Sequence, residues 1–322
     1  MHWKLWNGIF ACLLILFIMW TGDVEANRRA KVISTVSPIT NIIHNIGGER
    51  IELHGLIPEG VDSHTFEPAP GDIKYIIEAD LIILNGLHLE APVERLILAN
   101  RKGSVGILRL GDKAIKREEW IFDFSFPKEK GDPNPHLWLD VQHAIRYAGL
   151  VRDGLMDIDP ANPDYYKKRA AAYISRLERL DMEINAVVRT IPPKNRRLLT
   201  YHDSWDYFGR RYGIRIIGAI QPSNFTEPSP RDVARLIDQI RAEGLPAIFG
   251  SEVYPSKVLD QIAREAGVRV VTTLRDDALP GEPGAKDHSY IGMMLDNVRN
   301  IALALGGDAK GLDLIDPADI RD

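Results

Sequence analysis

One pattern of residues occurs twice along this chain, and it limits the fold more than any single motif does. The stretch Lys31-Val-Ile-Ser-Thr-Val-Ser-Pro-Ile-Thr-Asn-Ile-Ile-His-Asn-Ile-Gly-Gly reads as strand, short polar turn, helix and glycine stop, followed by an apolar strand from Ile51 to Leu56. Arg197-Leu-Leu-Thr-Tyr-His-Asp-Ser-Trp-Asp-Tyr-Phe-Gly-Arg-Arg-Tyr-Gly reads the same way, followed by Ile214 to Ile220. Next come two matching helix entries, Glu67-Pro-Ala-Pro-Gly-Asp-Ile and Glu227-Pro-Ser-Pro-Arg-Asp-Val. Asp72 and Asp232 lie there in the first helical turn, where a negative charge favours the helix dipole. Further strands are expected at Ala79 to Leu84 and Ser104 to Leu110 in the first half, and at Pro246 to Phe249 and Val268 to Thr273 in the second. Strands alternating with helices at this spacing predict an α/β fold of two parallel-sheet lobes related by an internal repeat.

Between the halves, Ala170, Tyr173, Ile174, Leu177, Leu180, Ile184, Val187 and Val188 recur at helical spacing, from an Asn162-Pro163 start to a Pro192-Pro193 stop. The spacing predicts a helix from Pro163 to about Thr190, roughly 40 Å long. Periodicity alone leaves two readings open: a rigid connector between lobes, or the last helix of the first lobe. The expected division is an N-terminal lobe over 27–160, a linking helix over 161–191 and a C-terminal lobe over 192–322.

The first 26 residues read differently. Lys4, an apolar run from Ile9 to Trp20, and Val24 and Ala26 at small-residue positions resemble a secretory signal peptide ending at Ala26. An uncleaved anchor is the alternative, because extending the run from Trp3 to Thr21 approaches the roughly 20 residues that span a bilayer. The sole Cys, Cys12, lies inside the run and not after it, which argues against a lipid-modified N-terminus. Cleavage would leave a thiol-free chain suited to an oxidising compartment. A net charge of -5, with 26% charged residues, excludes a basic nucleic-acid binder. With one Cys, any metal chemistry falls to His and carboxylates.

Three of the nine His sit in loops pinned by Pro, Gly or Asp, or directly behind a strand. His64 lies in Pro58-Glu-Gly-Val-Asp-Ser-His-Thr-Phe-Glu-Pro68, and His136 in Asp132-Pro-Asn-Pro-His-Leu-Trp-Leu-Asp140. His202 follows the apolar strand ending at Thr200, at the carboxyl end where open α/β sheets bind ligands. Asp276 and Asp277 close another expected strand. Three imidazoles and a carboxylate, two groups from each half, form a first shell suited to a divalent transition metal.

With Asn85-Gly-Leu-His-Leu-Glu90, Ile248-Phe-Gly-Ser-Glu252 and Met293 through Asn297, these stretches resemble the metal-specific solute-binding proteins of bacterial ABC importers, the ZnuA- and TroA-like group. The resemblance runs from about Lys31 to Gly306. It implies two α/β lobes joined by a rigid helix with one metal in the cleft, a periplasmic monomer that is no enzyme, and delivery to a membrane permease, with a metallochaperone as a further partner. His64, His136 and His202 match the family's three histidine positions. The family's Leu-x-x-Asp-[Ser/Ala]-Leu pattern falls on Leu274-Arg-Asp-Asp-Ala-Leu279, making Asp277 the fourth ligand and Asp276 its neighbour, with a one-residue ambiguity. Glu252 matches a family Glu near the cleft, and a surface carboxylate at a strand end is the alternative.

Two departures bear on the metal. The His-rich loop of many zinc-specific relatives is replaced by Lys113 to Pro135, which holds no His, whereas the third histidine, often Glu in manganese-specific relatives, is retained as His202. Three neutral nitrogens with one carboxylate favour Zn²⁺ over the harder Mn²⁺, with a manganese or mixed Mn/Zn/Fe binding protein of the same type as the alternative. The competing class is a secreted zinc hydrolase, against which stands the absence of a His-Glu-x-x-His motif. Turnover of an ester, phosphate or peptide substrate would separate the two classes.

Overall fold

The structure, a computed structural model, describes residues 28–221, 226–253 and 257–321. The expected signal peptide of residues 1–26 lies outside the described residues. Among the described residues no helix is long and apolar enough to cross a membrane.

The repeat folds as two parallel sheets of identical strand order. In the first, β1 (Ala30–Ser34), β2 (Ile51–Gly55), β3 (Leu81–Leu84) and β4 (Gly106–Arg109) lie in the order β2-β1-β3-β4. Between them run α1 (Ser37–Gly47), α2 (Ile73–Glu78) and α3 (Ala91–Asn100), and α4 (Leu110–Ala114) follows. The second has β5 (Arg197–Thr200), β6 (Arg215–Ala219), β7 (Ala247–Ser251) and β8 (Arg269–Leu274) in the order β6-β5-β7-β8, with α7 (Asp206–Tyr212), α8 (Pro230–Glu243) and α9 (Lys257–Ala266) between them. In β3, which is covered on both faces, all four residues are apolar and buried. The two helix entries are built alike. Asp72 accepts the backbone N–H of Ala69 at 2.8 Å, and Asp232 accepts that of Ser229 at 3.3 Å while Ser229 caps α8.

Two long helices, α5 (Val141–Ile158) and α6 (Pro163–Thr190), join the halves, and α10 (Tyr290–Ala304) packs back against α6. The 28 residues of α6 match the periodic stretch, and Tyr166, Ala170, Tyr173, Leu177, Leu180 and Ile184 are buried along it. Halfway along, buried Asp181 accepts from Gln142 of α5 and from Arg211 and Tyr212 of α7, so one carboxylate braces both halves. One apolar cluster runs from the first sheet through α1, α5, α6 and α10 to Phe208 and Phe249 of the second half. A smaller one fills the outer side of the second sheet, from Leu199 and Ile217 to Ile240 and Leu259. Continuous packing between the halves opposes a wide hinge, because separating them would expose apolar surface at about 25 cal/mol per Å².

Candidate metal centre

Both sheets turn their carboxyl ends toward one cleft, and loops leaving those ends carry the candidate residues. His64 follows β2, His136 precedes α5, His202 follows β5 by two residues, and Asp276 and Asp277 follow β8. The structure brings the three imidazoles together at the boundary between the lobes. His136 Nε2 lies 3.3 Å from His64 Nε2 and 3.1 Å from His202 Nε2. His136 and His202 are fully or almost fully buried.

Local structure aims each ring. Asp62 accepts the backbone N–H of His64 at 2.9 Å and the Thr65 hydroxyl at 2.7 Å, fixing the turn that presents His64. Asn134 Oδ1 accepts both the backbone N–H of His136, at 2.9 Å, and its ring Nδ1–H, at 2.8 Å. The orientation of that amide is set by its Nδ2, which donates to Asp123 Oδ2 at 2.7 Å and to the Asp203 carbonyl at 2.8 Å. His202 Nδ1 lies 2.9 Å from Gln221 Oε1. Since Nδ1 of both His136 and His202 is committed to an amide oxygen, Nε2 is the atom that each ring turns toward the shared centre. At 3.1 Å the Nε2 atoms of His136 and His202 need a proton or a metal cation between them. Four donors at about 2.0–2.1 Å around a tetrahedral ion are about 3.4 Å apart, close to the spacing found.

The acidic side of the cleft comes from the second lobe. Asp276 Oδ2 lies 3.8 Å from His202 Nε2. Asp277 Oδ2 accepts the Ser63 hydroxyl at 2.8 Å, across the lobe boundary. Asp276 Oδ2 and Asp277 Oδ1 are both buried with no hydrogen-bond partner among the described residues. Glu252 Oε1 accepts the backbone N–H groups of Asp276, Asp277 and Ala278, at 3.0, 3.1 and 3.0 Å. Glu252 is therefore no surface carboxylate at a strand end; it holds the turn that carries both aspartates.

Burial and mutual repulsion set the charges. Burial lowers His64 to about 3, with His202 adding to the effect. Burial, His202 and His64 also hold His136 well below the ordinary imidazole value. Burial opposes the charge on His202, yet Asp276, Gln221 and Asp277 outweigh it and raise the group. Burial and Asp276 push Asp277 up to about 7. The cleft therefore holds neutral nitrogens at His64 and His136 beside a His202–aspartate group that shares protons, which a divalent cation would displace.

A second convergence had no local signal in the sequence. Asp123, Asp203 and Asp206 bring carboxylate oxygens within 4.8 Å of one another. Burial raises them to about 6, 8 and 7 respectively, with Asp206, Asp123 and Asp203 the leading charged neighbours in turn. Asp123 is also the acceptor that orients Asn134, so this cluster reaches His136 through one amide. Asn134 and Gln221 were likewise missed; Asn134 sits two residues before His136 in a Pro-bounded loop, which was its one available signal.

The family model described as "ZnuA: Zinc-uptake complex component A periplasmic" matches residues 32–304. The chain belongs to this family. Its relatives in the ABC-importer group include the manganese-binding lipoprotein MntA of Halalkalibacterium halodurans, 29% identical over 86% of this chain and 89% of that protein. They also include the manganese ABC transporter substrate-binding lipoprotein PsaA of Streptococcus pneumoniae, 27% identical over 92% of this chain and 94% of that protein. Among solved structures, the periplasmic zinc binding protein TroA of Treponema pallidum shares 29% identity and a TM-score of 0.79 over 86% of this chain and 99% of that one. As in TroA-like structures, this ZnuA-family chain is a two-lobed α/β protein, and as a family member it is a metal-binding solute-binding protein of the ABC-importer type.

Proposed function

We propose that this chain captures one zinc ion in the interlobe cleft, outside the cytoplasm, and delivers it to the membrane permease of an ABC importer. His64, His136 and His202 bind through Nε2, and Asp277 completes the set with Asp276 beside it. The observation that carries this reading is the convergence of three imidazoles, His136 Nε2 lying 3.3 Å from His64 Nε2 and 3.1 Å from His202 Nε2, with Nδ1 of His136 and of His202 already committed to amide oxygens. A divalent cation at that centre would accept all three Nε2 atoms and displace any proton shared among them.

Zinc is preferred on donor chemistry, since three imidazoles and one carboxylate are softer than a set suited to Mn²⁺, and the Irving–Williams order runs the same way. Manganese is the second reading, favoured by the names of MntA and PsaA. Elemental analysis of protein purified without added metal, followed by competitive titration with Zn²⁺ and Mn²⁺, tests the choice. Zinc in the purified protein and at least a tenfold preference for it are expected; co-purified manganese retained against zinc would overturn the zinc reading.

A further inference from the structure

Adjacent residues on an irregular turn point in different directions, so a slip of one residue would exchange Asp276 and Asp277 in front of the imidazoles. The turn is fastened against such a slip from two sides. Asn297 of α10 grips Arg275 by both backbone groups, accepting its N–H at 2.8 Å and donating to its carbonyl at 2.7 Å. The next three N–H groups, those of Asp276, Asp277 and Ala278, all enter Glu252 Oε1. Successive backbone N–H groups converging on one oxygen form a concave anion nest, here filled by the protein's own side chain. Glu252 is itself anchored, because its backbone N–H donates to the Leu274 carbonyl at 3.2 Å and Ser251 Oγ donates to its Oε2 at 3.3 Å.

We propose that Glu252 is a positioning residue that fixes which of the two aspartates faces the three histidines, acting as a threefold acceptor for the turn without touching the metal. The proposal rests on the metal-binding reading given above. Its requirement is an oxygen at the Oε1 position. Glu252→Gln keeps that oxygen, and Ser251 Oγ can rotate to accept from the new amide. Glu252→Ala leaves three N–H groups without their acceptor, and Glu252→Asp is one methylene too short to reach them.

Cobalt(II) is the probe, because its visible absorption reports coordination number and ligand type. Wild type and Glu252→Gln should bind one Co²⁺ with the same spectrum and with affinities within about threefold. Glu252→Ala should bind at least about tenfold more weakly and with an altered spectrum, while circular dichroism stays that of wild type. Should Glu252→Ala fail to fold, Glu252→Asp takes its place with the same expectation. A folded Glu252→Ala or Glu252→Asp with wild-type spectrum and affinity overturns the proposal. So does an equal loss in Glu252→Gln, which would show that charge and not acceptor geometry matters. Wild-type protein that takes up no Co²⁺ would instead overturn the metal-binding reading on which the proposal stands.

Discussion

The indole N–H of Trp138 donates to the backbone carbonyl of Asp276 at 2.8 Å, joining the loop that carries His136 to the turn that carries the aspartates. Tyr290 of α10 reinforces the link by donating its hydroxyl to the Trp138 carbonyl at 2.6 Å. The loop of His136 and the turn of Asp276 and Asp277 are thus tied to each other through side chains outside the candidate ligand set. Both halves of the candidate site are thereby held in register by the protein's own hydrogen bonds.

Trp138→Phe removes that donor and leaves a buried carbonyl without one, at a cost of about 1–3 kcal/mol. Denaturant unfolding of the metal-free protein should show that loss. Zinc affinity should fall by about threefold to tenfold, chiefly through faster release, as stopped-flow transfer to a chelator would record. Unchanged release would show that the tie does not reach the site.

Asn134→Ala removes the group that holds the His136 ring in its Nδ1–H form, with Nε2 free to bind. Loss of such an outer partner costs about 10–100-fold in metal affinity, and that range is expected here by isothermal titration. An affinity within threefold of wild type would mean that packing against Trp138 and Phe126 alone orients the ring.

The pH dependence of binding separates this site from three independent imidazoles. His64, lowered to about 3, and His136, held well down, are uncharged imidazoles near neutral pH in the folded protein. His202 is raised and Asp277 is pushed up to about 7, so these are the groups from which a bound metal would displace protons. The logarithm of the zinc affinity should therefore fall as pH drops below about 7, with a slope of one to two protons. Three free imidazoles would instead begin to lose metal near pH 6.5 and approach a slope of three. Titrations between pH 5 and pH 8 distinguish the two cases.

Stability of the metal-free protein carries its own pH signature. Asp203 is raised from 3.8 to about 8 by burial and by Asp123, so the folded state holds a proton that the unfolded state has lost across that window. The linkage sign follows: stability is fully present below about pH 4 and is lost as pH rises toward 8, at no more than about 1.4 kcal/mol per pH unit. Asp203→Asn keeps an oxygen for the Ser125 N–H and places an amide donor where Oδ1 has no hydrogen-bond partner among the described residues. It should flatten the decline between pH 5 and pH 8, as followed by denaturant unfolding in the presence of a chelator. A decline as steep as in wild type would contradict the charge assigned to this cluster.

Much of the frame was legible because it rests on local pattern. The duplicated strand–turn–helix phrases, the Pro-Gly punctuation and the apolar period from Ala170 to Val188 each mark an element without reference to the rest of the chain. His64, His136 and His202 stood out because each lies where prolines or a strand end fix the backbone. The partners that tune them were not legible. Gln221 meets His202 from 19 residues away, Ser63 meets Asp277 across the lobe boundary, and Asp123 joins Asp203 and Asp206 from a loop with no regular period. The first depends on the pairing of β5 with β6 and the other two on how the two sheets are set against each other, neither of which local spacing encodes. Glu252 was visible as an acid at a strand end, but its hold on three N–H groups appears only once β7 and β8 are paired.

Isothermal titration of zinc into metal-free wild type, His64→Ala, His136→Ala and His202→Ala tests the central claim most directly. One zinc ion per wild-type chain is expected, with affinity reduced at least tenfold in each variant. Wild-type affinity retained in any two of the three would contradict the site.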